Sequence, residues 1–229
     1  MISRTVAFLT LVLVLPLAAC ATQPTTDVER ANQMVQSATV TFEKFKASND
    51  HPMDRFRAAL PNAQGIIILP GVIKGGFVLA AEGGSGVMLA RDASGRWGSP
   101  AFYALAAGSI GLQAGAQVGD VILLVFSQDA VASIIKHQGK LGADLDLVVG
   151  TVGAGVEAST TTNIGVDILA FSQGVGAFAG GSLEAAALIK RNDLNQAFYG
   201  QAVTPADIVV HGRVQNPTAD NLRQVLNGR

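Results

Sequence analysis

Between Ser109 and Gly119 the chain alternates residue by residue. Ile110, Leu112, Ala114, Ala116 and Val118 fall on one side, and Gly111, Gln113, Gly115, Gln117 and Gly119 on the other. A period of two means a β-strand, whose successive side chains point to opposite faces. The same texture fills the middle of the chain. Nearly all of the 26 glycines lie between Gly65 and Gly200. Glycine inside apolar segments allows tight turns, bulges and close strand packing.

The spacing predicts a series of strands. Residues 65–70 (Gly-Ile-Ile-Ile-Leu-Pro) form a short buried one. Residues 77–81 and 87–91 flank Glu82-Gly83-Gly84-Ser85-Gly86, which reads as a hairpin turn. Ala93-Ser94-Gly95-Arg96 makes a second turn before Trp97. Residues 120–127 are strongly apolar, and residues 141–149, 164–172, 177–181 and 183–190 continue the series. Helical patterns sit at the two ends. From Asp27, the residues Ala31, Met34, Val35, Ala38, Phe42 and Phe45 recur at three- and four-residue steps on one face. A second helix covers residues 53–60 and stops at Pro61. A third covers 128–137 with Ser127 as N-cap, and short helices follow at 192–199, after Thr204-Pro205, and at 218–226 before Gly228. The fold class is therefore α+β: a Gly-rich, mostly antiparallel sheet, curled or closed into a barrel, with N-terminal helices and short C-terminal helices. Gly76-Phe77 with Leu89-Ala90-Arg91, and Gly176-Ala177-Phe178 with Leu188-Ile189-Lys190-Arg191, form a faint internal echo.

The first twenty residues do not belong to that domain. Arg4 supplies one charge, residues 5–17 are uncharged and nearly all apolar, and Ala18-Ala19 precede Cys20. A charged start, a short apolar stretch and a small-residue exit make a secretory leader. The run is shorter than the ~20 residues of a membrane-spanning helix. Leu17-Ala18-Ala19-Cys20 resembles the lipobox of bacterial lipoproteins. An ordinary leader cut at an Ala-x-Ala site beside a cysteine is the alternative. The lipobox is preferred because Cys20 is the single cysteine, and a lone exposed thiol in an exported protein would be odd. The lipobox resemblance implies cleavage before Cys20 and two or three acyl chains on it, enough for lasting attachment. Residue 21 is Ala and not Asp, which by resemblance to Gram-negative sorting favours the outer membrane, facing the periplasm or the surface. The expected organisation is a leader over 1–19, a lipidated tether over 20–26 and one domain over 27–229.

Composition narrows the function. Hydrophobic residues make up 49% and charged residues 14%, so the apolar material belongs to a core or to a lipid-facing surface. A formal charge of −1 argues against nucleic acid as a partner. His51, His137 and His211 stand in no metal-ligand spacing. Ala107-Gly108-Ser109-Ile110-Gly111 approaches a G-x-S-x-G elbow, as a lipid hydrolase would need, but Ser109 begins an alternating strand and not a strand-to-helix turn. The glycines of residues 150–158 follow a strand as in a dinucleotide-binding loop, yet Ser159-Thr160-Thr161-Thr162-Asn163 makes a poor helix to follow. Gly83-Gly84-Ser85-Gly86 lacks the Lys-Ser/Thr of a P-loop. Asp144 and Asp146 share a strand face, as a catalytic or calcium-binding pair or as solvated residues. No constellation supports catalysis, and none implies a cofactor.

Four stretches resemble the SYLF domain, a lipid-binding module shared by bacterial lipoproteins and by eukaryotic FYVE- and SH3-containing proteins. They are residues 63–70 with Lys74-Gly75-Gly76-Phe77; Gly84-Ser85-Gly86-Val87 through Gly95-Arg96-Trp97-Gly98-Ser99-Pro100; Gly111-Leu112-Gln113-Ala114-Gly115 leading to Asp120; and residues 178–184 with Asn192 and Phe198-Tyr199-Gly200. Ala185 and Gly98 depart from the family's usual Gly and Ser. The resemblance spans residues 30–229 and implies phospholipid binding, phosphoinositides being the eukaryotic ligand. Actin binding, implied for fungal relatives, is not carried to a bacterial envelope protein. In some relatives an amphipathic N-terminal helix touches the membrane. Here that face holds Met34, Val35, Phe42 and Phe45, with Lys44 and Lys46 beside it, and packing on the sheet is its other use. Lys74, Arg91, Lys190 and Arg191 lie near strand ends, as headgroup contacts or as ordinary solvated charges. The expected function is a membrane-anchored, non-catalytic phospholipid-binding lipoprotein. The alternatives are a scaffold that binds another envelope protein and a lipid hydrolase.

Overall fold

The computed structural model describes residues 25–76, 79–110, 115–137, 139–141, 149–152, 166–175 and 186–228. Within them run β1 (Gly65–Gly76), β2 (Leu79–Ala90), β3 (Ala101–Ile110), β4 (Gly115–Val125), β5 (Gly139–Lys140), β6 (Val149–Val152), β7 (Ile168–Val175) and β8 (Ala187–Lys190). They form one sheet in the order β5-β8-β3-β2-β1-β4-β7-β6. From β8 to β7 every neighbouring pair is antiparallel, a six-strand body. Short β5 adds antiparallel to β8, and β6 adds parallel to β7.

Among the described residues the ladder ends at β5 and β6, so the sheet is open and the expected closure into a barrel is corrected. The reason lies in β1 and β4, which are apolar at consecutive positions. Ile66, Ile68, Ile122 and Leu124 enter one buried cluster, and Ile67, Leu69, Val121, Leu123 and Val125 enter the other. Near-continuous apolar strands need cover on both faces, and helices supply it.

One face is covered by α1 (Asp27–Ala47), α2 (His51–Ala59), α4 (Asn192–Tyr199) and α5 (Asp220–Leu226). α1 opens with a capping box: Thr26 Oγ1 accepts from the Glu29 amide at 3.2 Å, and the Thr26 amide donates to Glu29 Oε2 at 2.8 Å. Its apolar side, with Ala31, Val35, Ala38, Phe42 and Phe45, is buried as the spacing predicts. Phe42 and Phe45 meet Phe56 of α2 edge-on at 6.2 and 5.7 Å, and Phe56 meets Phe171 of β7 at 5.4 Å. Burying each such ring stabilises the fold by roughly 1.5–3 kcal/mol. The opposite face is covered by α3 (Gln128–Lys136) and by a π-helical turn, Ala206–Val210. α3 starts at Ser127, whose Oγ accepts from the Ala130 amide at 3.0 Å. Fully buried Asn195 ties α4 to β3 by accepting from the Phe102 amide at 2.9 Å.

Two strand assignments are corrected. Glu82–Gly86 do not turn; they lie within β2, paired continuously with β3. Residues 109–119 are not one strand: β3 ends at Ile110, and β4 starts at Gly115 with β2 and β1 lying between them in the sheet. β1 also runs beyond Pro70 to Gly76, with a register shift between Leu69 and Val72. Most of residues 141–149, together with 177–181, 183–185, Asp144, Asp146 and 153–163, lies outside the described residues.

Glycine permits this sheet where backbones approach closely. A Cβ on Gly86 would stand 2.0 Å from the Ile68 carbonyl oxygen, whereas one on Gly108 would meet nothing within 4 Å. Gly86→Ala is expected to destabilise by about 3 kcal/mol or more, because backbone must shift. Gly108→Ala should stay within about 0.5 kcal/mol of the parent. Urea denaturation of both variants checks this, and equal midpoints would contradict the close approach.

Candidate functional site

The first half of α1 and the start of α4 come together over β2 and leave a notch of about 290 Å³. α1 contributes Arg30, Gln33 and Ser37, β2 contributes Ser85, and Arg191 and Leu194 close the other side. Each position follows from local structure. Arg30 and Ser37 lie on the solvent side of an amphipathic helix. Ser85 shares its strand face with buried Val87 and Leu89, which pack toward α1. Arg191 is the N-cap residue of α4, directly after β8.

The charges here are ordered. Arg191 Nε donates to Asp193 Oδ1 at 3.0 Å, Nη2 to Asp193 Oδ2 at 2.7 Å, and Nη1 to Ser85 Oγ at 3.3 Å. Arg30 Nη2 pairs with Asp27 Oδ1 at 2.7 Å. The Asp193 hydrogen bond raises the Arg191 pKa, and the Asp27 charge adds to it. Arg191 in turn holds the Asp193 carboxyl below its ordinary range. That pair's contribution is thus complete above the ordinary carboxylate pKa and is lost as pH falls through the depressed one.

The other residues marked in the sequence are dispersed. Phe42 and Phe45 are buried between α1, α2 and the sheet. Lys44 Nζ pairs with Asp120 Oδ2 at 2.8 Å, and Asp120 Oδ1 accepts from the Gly71 amide at 3.0 Å. Gly71 has φ 59°, the left-handed conformation of the β1 bulge. Lys46 is exposed, and its carbonyl accepts from Arg57 at 3.3 Å. Lys74 lies on the far half of β1, opposite Glu82 and Gln117. Arg91 is at the other end of the sheet, donating to the carbonyls of Ala63 at 2.9 Å and Gly95 at 2.6 Å, with its guanidinium 4.3 Å above the Trp97 ring. Partial burial lowers its pKa. Lys190 reaches the Lys136 carbonyl at 3.4 Å. Cys20 lies outside the described residues. Arg191 and Met34 are thus the marked residues that line the notch. Arg30 and Ser37 carry no sequence signal beyond that of a polar helix face.

Two further features stand out. Ile73 and Val118 are cross-strand partners, 57% and 54% exposed, on the half of β1 and β4 beyond Asp120. A cleft of about 700 Å³ lies between the 92–99 loop and the C-terminal segment, lined by Trp97, Ser99, His211 and Asn227 among others. Its arginines, Arg96 and Arg223, pair with Asp92 and Asp220. Among the described residues no helix is long and apolar enough to cross a membrane, and no group of three or more His, Cys, Asp and Glu is placed to hold a metal ion.

Asp120 joins α1 to the bulge by two bonds at the surface, so Asp120→Ala removes both and Lys44→Gln removes one. Asp120→Ala is expected to cost about 1–2 kcal/mol, because both the Gly71 amide and Lys44 lose their charged partner. Lys44→Gln should cost under about 1 kcal/mol, since its pair faces solvent. Thermal unfolding of the two variants separates these contributions, and equal losses would contradict the assignment.

A family model described as Ysc84, Las17-binding protein actin regulator, matches residues 106–229. LAS seventeen-binding protein 3 of Saccharomyces cerevisiae (strain YJM789) is 31% identical over 207 residues, covering 89% of this chain and 44% of the yeast protein. SH3 domain-containing YSC84-like protein 1 of Xenopus laevis is 34% identical over 170 residues, covering 73% of this chain and 50% of its own length. Protein YSC84 of Saccharomyces cerevisiae (strain ATCC 204508 / S288c) is 33% identical over 174 residues, 74% of this chain and 37% of that protein. The chain thus spans half or less of the length of these curated relatives. Their names describe binding and SH3-containing proteins, not enzymes. With a family match over more than half its length, the chain belongs to the Ysc84 family, the family of the SYLF domain.

Proposed function

We propose that the chain is a membrane-tethered, non-catalytic module that binds phospholipid. In this reading residues 1–19 are a leader, Cys20 carries acyl chains, residues 20–26 are the tether and residues 27–229 engage lipid at the cell envelope, on the outer membrane. The observation that carries it is the Ile73–Val118 pair. Two branched apolar side chains stand side by side, more than half exposed, on a glycine-rich end of the sheet. Paired exposed aliphatics suit a surface that meets acyl chains. The leader ending in Leu17-Ala18-Ala19-Cys20 and the SYLF resemblance support the same reading.

A second reading draws on the relatives' names. LAS seventeen-binding protein 3 and the SH3 domain-containing protein are named for protein partners or protein-binding modules. A scaffold that holds another envelope protein is the corresponding function here.

Flotation of the mature chain, residues 20–229 carrying Cys20→Ser, with vesicles of phosphatidylethanolamine and phosphatidylglycerol, decides between them. The domain is expected to float with the vesicles, and Ile73→Asp with Val118→Asp should reduce the bound fraction severalfold without loss of fold. Absence of the parent chain from the vesicle fraction overturns the phospholipid reading. A stoichiometric protein partner in envelope extracts, together with that absence, selects the scaffold.

A further inference from the structure

The notch between α1 and α4 gathers hydrogen-bond donors. Its lining holds two guanidiniums, two hydroxyls and one carboxamide, and no carboxylate. Asp27 and Asp193 each hold one side of their arginine and orient it. Of the five N–H groups of Arg191, its bonds to Asp193 and Ser85 use those on Nε, one on Nη1 and one on Nη2, which leaves two. The Ser85 hydroxyl accepts from Arg191 and keeps its own proton to donate. Donors thus outnumber acceptors around one small space. Guanidiniums held by carboxylates are pre-organised forks, and their match is a tetrahedral oxyanion.

We propose that this notch is a seat for one phosphate group, bound between Arg30 and Arg191 with Ser37, Ser85 and Gln33 donating to the remaining oxygens. About 290 Å³ holds a phosphate and the first atoms of whatever it is esterified to. The seat lies beside the start of α1. Cys20 precedes Asp27 by seven residues, and an extended tether of that length reaches about 25 Å. An anchor at Cys20 therefore keeps the notch within reach of the headgroups around it. The inference rests on the phospholipid reading for the lipid source of the phosphate; the seat itself rests on the donor set.

The test uses the mature chain, residues 20–229 carrying Cys20→Ser, with and without Arg30→Gln and Arg191→Gln. Three probes are titrated: inorganic phosphate, phosphatidylcholine vesicles, and the same vesicles containing phosphatidic acid. Phosphate is expected to shift the Arg191 Nε–Hε resonance, and the double variant should bind at least about tenfold more weakly, as expected for lost charge-assisted hydrogen bonds. Arg30→Gln alone changes a solvent-facing residue and keeps the comparison valid if the double variant unfolds; it should weaken binding severalfold. Arg191→Lys should restore only part of the affinity, since an ammonium lacks the fork. Loss with both phosphate and phosphatidic acid vesicles assigns the seat to a lipid headgroup. Loss with phosphate alone keeps the seat and assigns it to a free phosphate. Equal binding by parent and variants overturns the seat and leaves the phospholipid reading standing on its vesicle result. Failure of the parent chain to bind phosphate in either form also overturns it.

Discussion

The burial of β1 and β4 on both faces is the constraint from which the rest of this molecule follows. Five consecutive apolar residues in β4, Val121 to Val125, and four in β1, Ile66 to Leu69, have no solvent side. Such strands cannot line a barrel whose outer wall meets water. They require a layer above and a layer below, so the terminal helices must fold back over the sheet. Helices α1, α2, α4 and α5 do so on one face, and α3 with the π-helical turn on the other.

The cover stops partway along the strands. Asp120 marks the boundary, accepting from Gly71 at the bulge and pairing with Lys44 at the end of α1. Beyond it the apolar sequence gives way to glycine and small residues; Val72 is still buried on the α3 face, but Ile73 and Val118 on the α1 face are more than half exposed. The glycines serve a second purpose in the sheet. A Cβ on Gly174 would stand 2.5 Å from the Gly119 Cα, and one on Gly84 would stand 2.9 Å from Val72 Cγ2. Side chains at these places would hold neighbouring strands apart, so the glycine content follows from close packing as much as from turning.

That double use explains which parts of the fold were legible in the sequence. The apolar spacing of α1 and the Ser127 cap of α3 are local signals, set by residues within one or two turns, and they identify their elements. Glu82–Gly86 carries the usual mark of a turn, but β2 needs glycine there for contacts with β1, and no local pattern distinguishes the two causes. The alternation over 109–119 continues from β3 into β4 because two strands of one sheet share the same period, so periodicity alone does not reveal the break. The site is less legible still. Arg191 stands out at a strand end. Arg30, three residues from Asp27, reads as an ordinary i,i+3 surface pair, and only the packing of α1 on α4 brings it to Arg191.

In the proposed reading, the position of α1 also limits how the chain would meet a bilayer. For Phe42 and Phe45 to enter lipid, α1 would have to leave the sheet, taking Val35 with it and exposing Phe56 and Phe171. At roughly 1.5–3 kcal/mol for each large side chain uncovered, that cost is comparable to the 5–15 kcal/mol that holds an ordinary domain together. Insertion would return part of it, but the sheet face left behind would still need cover. Contacts available without that rearrangement come from groups already at the surface: the guanidiniums of the notch at one end of α1, and the Ile73–Val118 pair beyond its other end. In the proposed reading, a helix that serves as a lid on the core would make headgroup contacts with its polar outer side, while its apolar side stays committed to the fold.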